Sequence, residues 1–435
     1  MKTKKIEYTS SLFGESYTKI LHKSGLTIYV FPKSMTTTHA ILAAKCGSLD
    51  RSVRFADGSL RRFPAGIAHY LEHKLFDNES GQDTFAIFSS LGMDANAYTS
   101  YTHTAYYFSA TKNAKAGLKE LITFAMHPYF TAATVKKERG IIAEEIKMDR
   151  DLPWDRAFQN LLTGLYGRHP LSSEICGTQE SISKITPKKL YDFYGLFYRP
   201  SNMILSVSGP IDTDEVLTVA DRLLPAADSL EPAPVRVLPS ASAKVAQVRI
   251  EERMPVAKPI FQIGFKDRAP GKTSLERVKK DAAMLILNEI LFSRSGDFYN
   301  RLFEQSLLTP SFSAGYSCEE GFAFNCISGE SGNADRVVES LLSYLDFVKK
   351  NGISGADLER SRRVLYADEI RSYDSTEEIA GRMLSFAMDD LDPFLYPELI
   401  QSVSKDEIEK LLHQNFQEKD LSLSLILPTE ERSNL

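Results

Sequence analysis

The chain has 435 residues, more than the ~250–300 at which a single hydrophobic core stops growing, so two or more domains are expected. Its 43% hydrophobic and 25% charged content is that of a soluble globular protein, and a formal net charge of −5 gives no reason to expect nucleic acid or a membrane surface as partner. Four scattered cysteines without a CxxC pair, no apolar leader and no run of 18 apolar residues predict a cytoplasmic protein without a transmembrane helix.

In the first half of the chain, strand-like runs precede helical ones. Alternating or β-branched runs predict strands, and apolar residues spaced by three and four positions predict helices. The predicted strands lie at 25–33, 38–48, 95–112 (one or two strands) and 202–212, and the predicted helices at 64–76, 116–128, 133–150 and in the region up to 197.

The stretch 223–245 is rich in Pro, Ala and Ser without helical or strand periodicity, which predicts a linker. After it the rhythm repeats, with predicted strands at 246–252, 258–267, 321–330 and 421–427 and predicted helices at 274–292, 335–351 and 355–371. Two similar α+β domains from a duplicated unit are therefore expected. The first domain is predicted to span 1–225, the linker 226–245 and the second domain 246–435.

The run GIAHYLEHKLF places His69, Glu72 and His73 within five positions of the helix predicted at 64–76. Residues at i and i+4 project from one face of a helix, so both imidazoles can reach one Zn²⁺ at ~2.0–2.1 Å and leave the carboxylate as a base. The alternative is an ordinary amphipathic helix whose polar face carries His and Glu. A third ligand has to decide between them, and the second half has no equivalent motif.

A catalytic zinc site needs three protein ligands and one open position. In the helix predicted at 133–150, Glu138, Ile142, Glu145 and Asp149 step by four, three and four residues and so form one stripe. An acidic residue on each turn suits a face turned toward a cation. A solvated acidic edge, balanced by neighbouring lysines, is the alternative.

These motifs resemble the pitrilysin/insulinase family of metallopeptidases, and above all its mitochondrial-processing-peptidase-like bacterial subfamily. The resemblance extends over nearly the whole first half. It rests on four segments in order, GIAHYLEHKLF, LGMDANAYTSYTHTAYYF, KERGIIAEEIKM and HPLSSEICGTQESISKITPKKLYDFYGLFYRPSNMILSVSGPID. The resemblance implies a zinc-dependent peptidase with two duplicated domains, each a mixed, mainly antiparallel sheet packed with helices.

The resemblance also implies a role for each motif residue. His69 and His73 correspond to the zinc ligands, and Glu72 corresponds to the general base that activates a zinc-bound water. Glu138 corresponds to the carboxylate that orients a histidine ligand.

The third zinc ligand of the family corresponds to Glu145, which lies five positions after Gly140. The adjacent Glu144 is the rival, but it projects about 100° away on a helix. His103, in the strand region, is interpreted as an ordinary strand histidine, and none of the four cysteines has a recognisable nucleophile context.

By the same resemblance, peptide substrates add as a strand to the open edge at 93–101, where Asn96 and Ala97 contact the substrate backbone. Short peptides or unfolded segments are the expected substrates. The second half keeps the family's run at Arg301–Glu304 but lacks the arginine that usually follows, and Phe312 and Tyr316 both remain candidates for the family's tyrosine.

Single-chain relatives have four such domains, so this chain is expected to act as a homodimer or as a heterodimer with a paralogue that lacks the zinc motif. A non-catalytic binding or assembly subunit of the same fold is the alternative to an enzyme. The complete set His69, Glu72, His73 and Glu145 favours the enzyme, because non-catalytic relatives usually lose part of it.

Overall fold

The computed structural model describes residues 2–227, 235–239 and 242–429. The strands are β1 (Lys4–Ser10), β2 (Glu15–Leu21), β3 (Thr27–Pro32), β4 (Thr38–Ala44), β5 (Ser52–Arg54), β6 (Leu60–Arg62), β7 (Met93–Thr99), β8 (Thr104–Ala110), β9 (Met203–Gly209), β10 (Val235–Arg236), β11 (Arg249–Met254), β12 (Ile260–Asp267), β13 (Ser313–Glu319), β14 (Phe322–Glu330) and β15 (Leu421–Pro428). The helices are α1 (Ile67–Leu75), α2 (Thr84–Ser90), α3 (Ala114–Met126), α4 (Ala132–Arg150), α5 (Pro153–Tyr166), α6 (Gln179–Ser183), α7 (Pro187–Phe197), α8 (Thr213–Leu223), α9 (Ser274–Phe292), α10 (Asp297–Glu304), α11 (Ala334–Asn351), α12 (Gly355–Ser372), α13 (Thr376–Met388), α14 (Tyr396–Ser402) and α15 (Lys405–Asn415).

These elements form two compact units that interleave along the sequence. Unit 1 contains the described residues of Met1–Ile146, Glu174–Leu238 and Ile370–Phe394, and unit 2 contains those of Lys147–Ser173, Pro239–Glu369 and Leu395–Leu435. Unit 1 therefore includes α13 from the second half of the sequence, and unit 2 includes α5 from the first half.

The predicted domains, by contrast, are sequential and meet at a linker at 226–245. Residues 228–234 and 240–241 of that stretch lie outside the described residues. Val235–Arg236, although predicted to be linker, forms β10 and pairs antiparallel with β5 in a three-stranded sheet of unit 1, ordered β10-β5-β6.

The main sheet of unit 1 has seven strands in the order β1-β2-β3-β9-β4-β8-β7. The β3–β9 pair is parallel and the other neighbours are antiparallel. The predicted strand region at 95–112 is two strands, β7 and β8, and β7 forms one edge of the sheet. The hairpin of β1 and β2 was not predicted.

Successive side chains of a strand point to opposite faces of the sheet. In this sheet, both faces are covered. Ile28 and Val30 of β3 belong to a core that also contains Leu71 of α1, whereas Tyr29 and Phe31 belong to a second core. Helix α13 closes that second core with a set of buried apolar side chains: Ile379, Ala380, Met383, Leu384 and Ala387. The sheet is therefore buried on both faces, and α1 packs on one of them.

Unit 2 is built on a five-stranded sheet in the order β11-β15-β12-β14-β13. Its β11–β15 pair is parallel and the others are antiparallel. Ala157 of α5 packs with Ile260 and Ile426 of this sheet. The main sheet of each unit is thus mixed, mainly antiparallel and packed with helices, which confirms the predicted fold class. Among the described helices, none has the length and apolar character that a bilayer crossing requires.

Candidate metal centre

The helix with the two histidines, α1, starts at a glycine that no larger residue can easily replace. Gly66 has a φ of 83°, in the left-handed region, and a Cβ there would lie 2.3 Å from the carbonyl oxygen of Cys176. Ile67, Leu71 and Leu75 are buried in the core of unit 1. These contacts fix the rotation of α1, and with it the direction of its polar residues.

The structure brings together the three residues expected to bind zinc. His69 Nε2 lies 3.3 Å from Glu145 Oε1, and His73 Nε2 lies 3.4 Å from Glu145 Oε2. The two imidazole rings are 4.6 Å apart, centroid to centroid. The two imidazoles, which are four positions apart on α1, thus both face one carboxylate of α4.

Glu145, and not Glu144, is the glutamate at these histidines. Glu145 is half-buried, with a side chain 27% exposed, whereas Glu144 is exposed. Burial alone raises the pKa of Glu145, but the hydrogen bond from His69 and the charges of both histidines outweigh it, and the pKa is lowered. The Glu145 carboxylate is therefore in its anionic form, the form that can bind a metal ion.

Glu138, two turns before Glu145 on α4, supports the second histidine. Its Oε1 lies 3.0 Å from His73 Nδ1. Burial lowers the pKa of His73, but this hydrogen bond, together with the charges of Glu72, Glu145 and Glu138, raises it overall. Burial would raise the pKa of Glu138, but the contact with His73 lowers it. The Nδ1 contact orients the ring so that Nε2 faces Glu145.

Glu72, the predicted base, is 7% exposed and accepts a hydrogen bond from the hydroxyl of Thr99, with 2.6 Å between Thr99 Oγ1 and Glu72 Oε2. Thr99 is the last residue of β7. The hydrogen bond therefore links the carboxylate on α1 to the edge strand.

Asn96 and Ala97, the predicted substrate contacts, lie in that edge strand. On one side β7 pairs with β8, where Asn96 is opposite Tyr107. Asn96 is exposed, and its Oδ1 accepts a hydrogen bond from the Ala97 amide at 2.8 Å. The side chain of Asn96 thus engages a backbone donor of the strand that a peptide is expected to join.

Sequence reasoning missed one residue at this centre, Cys176. Its Sγ lies 3.7 Å from His69 Nε2. One donor atom each from His69, Glu145 and Cys176 lies within 4.8 Å of the others, and His73 is outside this mutual set. Cys176 is far from the HxxEH run in sequence, and no spacing rule connects the two.

The side chains present fit a zinc ion. For Zn–N and Zn–O distances of ~2.0–2.2 Å, a tetrahedral site has edges of roughly 3.3–3.6 Å between donors. The His69–Glu145 and His73–Glu145 separations match that edge. Among the described residues, the buried Glu145 Oε2 accepts no hydrogen bond of good geometry and has an ion-pair contact with His73 Nε2 at 3.4 Å, so it is an acceptor available to a cation.

Other residues weighed in the sequence have structural partners of their own. His103 lies in the turn between β7 and β8, where its Nε2 is 3.1 Å from the hydroxyl of Tyr98, and burial lowers its pKa to about 4. In unit 2, the Tyr316 hydroxyl donates to Asp267 Oδ2 at 2.6 Å, and Phe312 is buried. These contacts favour packing roles for all three.

Two protein-family models match successive segments of the chain, and a bacterial relative matches most of it. The family model described as "Insulinase (Peptidase family M16)" matches residues 53–179, and the one described as "Peptidase M16 inactive domain" matches residues 184–365. The Bacillus subtilis protein named "Uncharacterized zinc protease YmfH" is 34% identical over 408 residues, which are 93% of this chain and 95% of that protein.

Two solved structures are similar over the same range. A crystal structure of an M16-like peptidase from Alicyclobacillus acidocaldarius has a TM-score of 0.89 and 30% identity and covers 99% of both chains. The crystal structure of pitrilysin has a TM-score of 0.75 at 17% identity, a likeness of fold alone. It matches 99% of this chain but 46% of the pitrilysin chain.

Proposed function

Because the chain belongs to peptidase family M16, the insulinase family, we propose that it is a zinc-dependent endopeptidase acting on oligopeptides or unfolded segments. The observation that carries the proposal is the meeting of His69, His73 and Glu145, with Glu138 behind His73. The name of the Bacillus subtilis relative, a zinc protease, supports zinc over other divalent ions.

His69, His73 and Glu145 would hold the ion, because imidazole nitrogens and a carboxylate oxygen are zinc donors. When bound, zinc supplies Lewis acidity that polarises a peptide carbonyl and lowers the pKa of a water molecule. Glu138 keeps the ring of His73 in place through Nδ1.

Glu72 acts as the general base. Its carboxylate accepts a proton from the attacking water and passes it to the nitrogen of the leaving amine. The Thr99 hydroxyl donates to Oε2, which restrains the carboxylate and leaves acceptor capacity on Oε1. The reaction needs no covalent intermediate on the chain.

Substrate binds by adding a strand to β7. Strand β7 pairs with β8 and is the last strand in the sheet order, so its other edge is open. Thr99 of β7 donates a hydrogen bond to the base, Glu72. Asn96 and Ala97 contact the backbone of the peptide in this arrangement. Backbone pairing selects extended chains, so folded proteins are poor substrates.

A second candidate is a non-catalytic subunit of the same fold. The match of residues 184–365 to a domain described as inactive gives this candidate its support. The complete set of His69, Glu72, His73 and Glu145 in unit 1 favours the enzyme, since loss of any one would disable it.

We also propose that two chains form the active species, either as a homodimer or with a paralogue that lacks the zinc motif. The chain matches less than half of pitrilysin, which supports a second copy of the two-domain unit in the working assembly. The cytoplasm remains the expected compartment, because four cysteines without disulfides are typical of reducing conditions. Cell fractionation tests it.

The function is tested with the purified chain and a library of quenched fluorescent peptides, alone and with any co-encoded paralogue. Hydrolysis is expected to stop when 1,10-phenanthroline removes the metal and to return with Zn²⁺. Hydrolysis that resists the chelator would contradict a metal mechanism. Stoichiometric zinc without hydrolysis under any of these conditions would favour the non-catalytic subunit.

A further inference from the structure

An arginine from the stretch predicted to be linker reaches a buried carboxylate of unit 1. Arg236 lies in β10, and its guanidinium donates two hydrogen bonds to Asp50, from Nε to Oδ1 and from Nη2 to Oδ2, each at 2.8 Å. The side chain of Asp50 is 3% exposed. A two-point contact of this kind fixes the orientation of the two groups as well as their distance. The stretch between the predicted domains thus supplies one partner of a specific ion pair.

Asp50 belongs to the loop that follows β4. Its Oδ2 also accepts a hydrogen bond from the Gly47 amide at 2.8 Å, and its own amide donates to the Gly47 carbonyl at 3.1 Å. One carboxylate therefore bonds both to this loop and to Arg236 of β10. Because Asp50 is buried, removal of the guanidinium would leave its charge less well compensated. The loop and the arginine thus depend on each other.

This loop holds the turn that follows the edge strand β7. The amides of Ser48 and Leu49 donate to the carbonyls of Ser100 and Tyr101, each at 3.0 Å. A Cβ on Gly47 would lie 2.5 Å from the Ser100 carbonyl oxygen, so the two backbones approach with no room for a side chain. The position of the turn at 100–102 is therefore set by the loop to which Asp50 belongs.

Arg236 also reaches the same turn directly. Its Nη2 donates to the Thr102 carbonyl at 3.3 Å, and within the turn the Ser100 amide donates to the His103 carbonyl at 2.8 Å. Ser100 directly follows Thr99, whose hydroxyl donates to the Glu72 carboxylate. The contacts of Arg236 therefore end beside the hydrogen bond that restrains the proposed base.

We propose that Arg236 is a positioning residue for peptide hydrolysis. Through Asp50 and the turn at 100–102, it holds Thr99 where the Thr99 hydroxyl meets Glu72. The inference rests on the proposed function, because Glu72 is the base of that reaction. Arg236 acts through Thr99 and not through the metal donors, so its loss changes kcat and leaves the metal content unchanged.

The origin of Arg236 makes the base dependent on the stretch between the two predicted domains. Strand β10 pairs with β5, and after it the Val237 amide donates to the Ser52 carbonyl at 2.8 Å. Displacement of β10 from β5 would withdraw the guanidinium from Asp50 and release the turn. Glu72 is therefore fully positioned only while β10 is in place.

The main test is Arg236→Lys, which keeps a positive charge beside Asp50 but loses the two-point contact. We expect zinc content equal to that of the parent and a fall in kcat of about tenfold, within the roughly 10²-fold that a displacement of about 1 Å can cost. Arg54→Lys is the matched control, because Arg54 is exposed and lies opposite Val235 in the same small sheet. It is expected to keep the parental kcat. Parental kcat in Arg236→Lys as well would overturn the inference.

A double-mutant cycle with Thr99→Val tests the route through Thr99. If Arg236 acts by placing this hydroxyl, the chain with both Arg236→Lys and Thr99→Val has the same kcat as the chain with Thr99→Val alone. Losses that multiply would mean that Arg236 acts by another route, and they would overturn the inference.

Hydrogen exchange provides a measurement that does not depend on activity. The amides of Ser48 and Leu49, which bond to the turn, are expected to exchange faster in Arg236→Lys than in the parent or in Arg54→Lys. Unchanged exchange at these amides would contradict the inference even if kcat fell.

A second variant covers the case in which Arg236→Lys does not fold. The chain with both Asp50→Asn and Arg236→Gln removes the two charges of the pair together, and it replaces Arg236→Lys in all three measurements. A parent chain that hydrolyses no peptide would overturn the proposed function and this inference with it. An active parent whose variants at Arg236 match it would overturn this inference alone.

Discussion

Glu138 and His73 form a hydrogen bond between two helices, with 3.0 Å from Glu138 Oε1 to His73 Nδ1. The Glu138 carboxylate thus orients His73, a proposed zinc ligand, through its Nδ1 atom. We expect Glu138→Gln to lower zinc affinity by about 10–100-fold, because the amide orients the ring and increases its basicity less well. Competition with a chelator of known affinity measures the effect. Lys137→Gln, on the exposed side of the same turn, is the control, and equal losses in both variants would argue against the orienting role.

Glu145 and Glu144 provide a matched pair of neighbours. Glu145→Gln removes the anionic metal donor that lies beside both histidines. It is therefore expected to weaken zinc binding more than Glu138→Gln does. Glu144→Gln, at an exposed position, is expected to leave the metal content unchanged. Metal analysis after dialysis distinguishes the two, and the reverse order would assign the third ligand to Glu144.

Glu72→Gln tests the base separately from the metal. The amide cannot accept a proton from water, so peptide hydrolysis is expected to fall by about 10²–10⁴-fold while zinc content stays near that of the parent. Thr99→Val removes the hydrogen bond to the Glu72 carboxylate, together with a 3.4 Å contact with the Thr104 hydroxyl, and is expected to reduce kcat to an intermediate level. A Glu72→Gln variant as active as the parent would exclude Glu72 as the base.

The assembly proposal concerns the exposed strand β7. An open edge invites unwanted pairing unless it is covered, and a second two-domain chain would cover it. We expect specific activity to fall on dilution as the two-chain species dissociates, with light scattering following the mass. If a paralogue is the partner, adding it restores activity at the same dilution. Constant activity from a species of monomeric mass would contradict the two-chain proposal.

Local features of the site could be predicted from the sequence. The spacing of His69 and His73 on one helix depends only on helix geometry, and the structure has them on α1. On α4, helix geometry puts Glu145 rather than Glu144 on the stripe with Glu138, but its assignment as the third ligand came from the family resemblance. Cys176 could not be found at all, because its place depends on the contact of two loops at Gly66 and Gly177, which residue patterns do not reveal.

The sheets show a similar division between local and distant information. The alternation at 95–112 predicted one or two strands, which are β7 and β8. The signal in β1 is weaker, because only Ile6 and Tyr8 of its seven residues are apolar and neither is fully buried. The assignment of α5 to unit 2 and of α13 to unit 1 could not be predicted from the sequence, for another reason. An apolar helix face predicts burial without specifying which sheet will cover it.

The placement of α13 has a consequence for synthesis of the chain. The strands of the large sheet in unit 1 leave the ribosome well before α13, which covers Tyr29, Phe31 and Ile204. Until α13 emerges, one face of that sheet is apolar and open, a state that exposes nascent chains to aggregation. Unit 1 therefore cannot mature as a nascent N-terminal domain. A fragment that ends in the 226–245 stretch should need a chaperone, even though it contains every proposed zinc ligand.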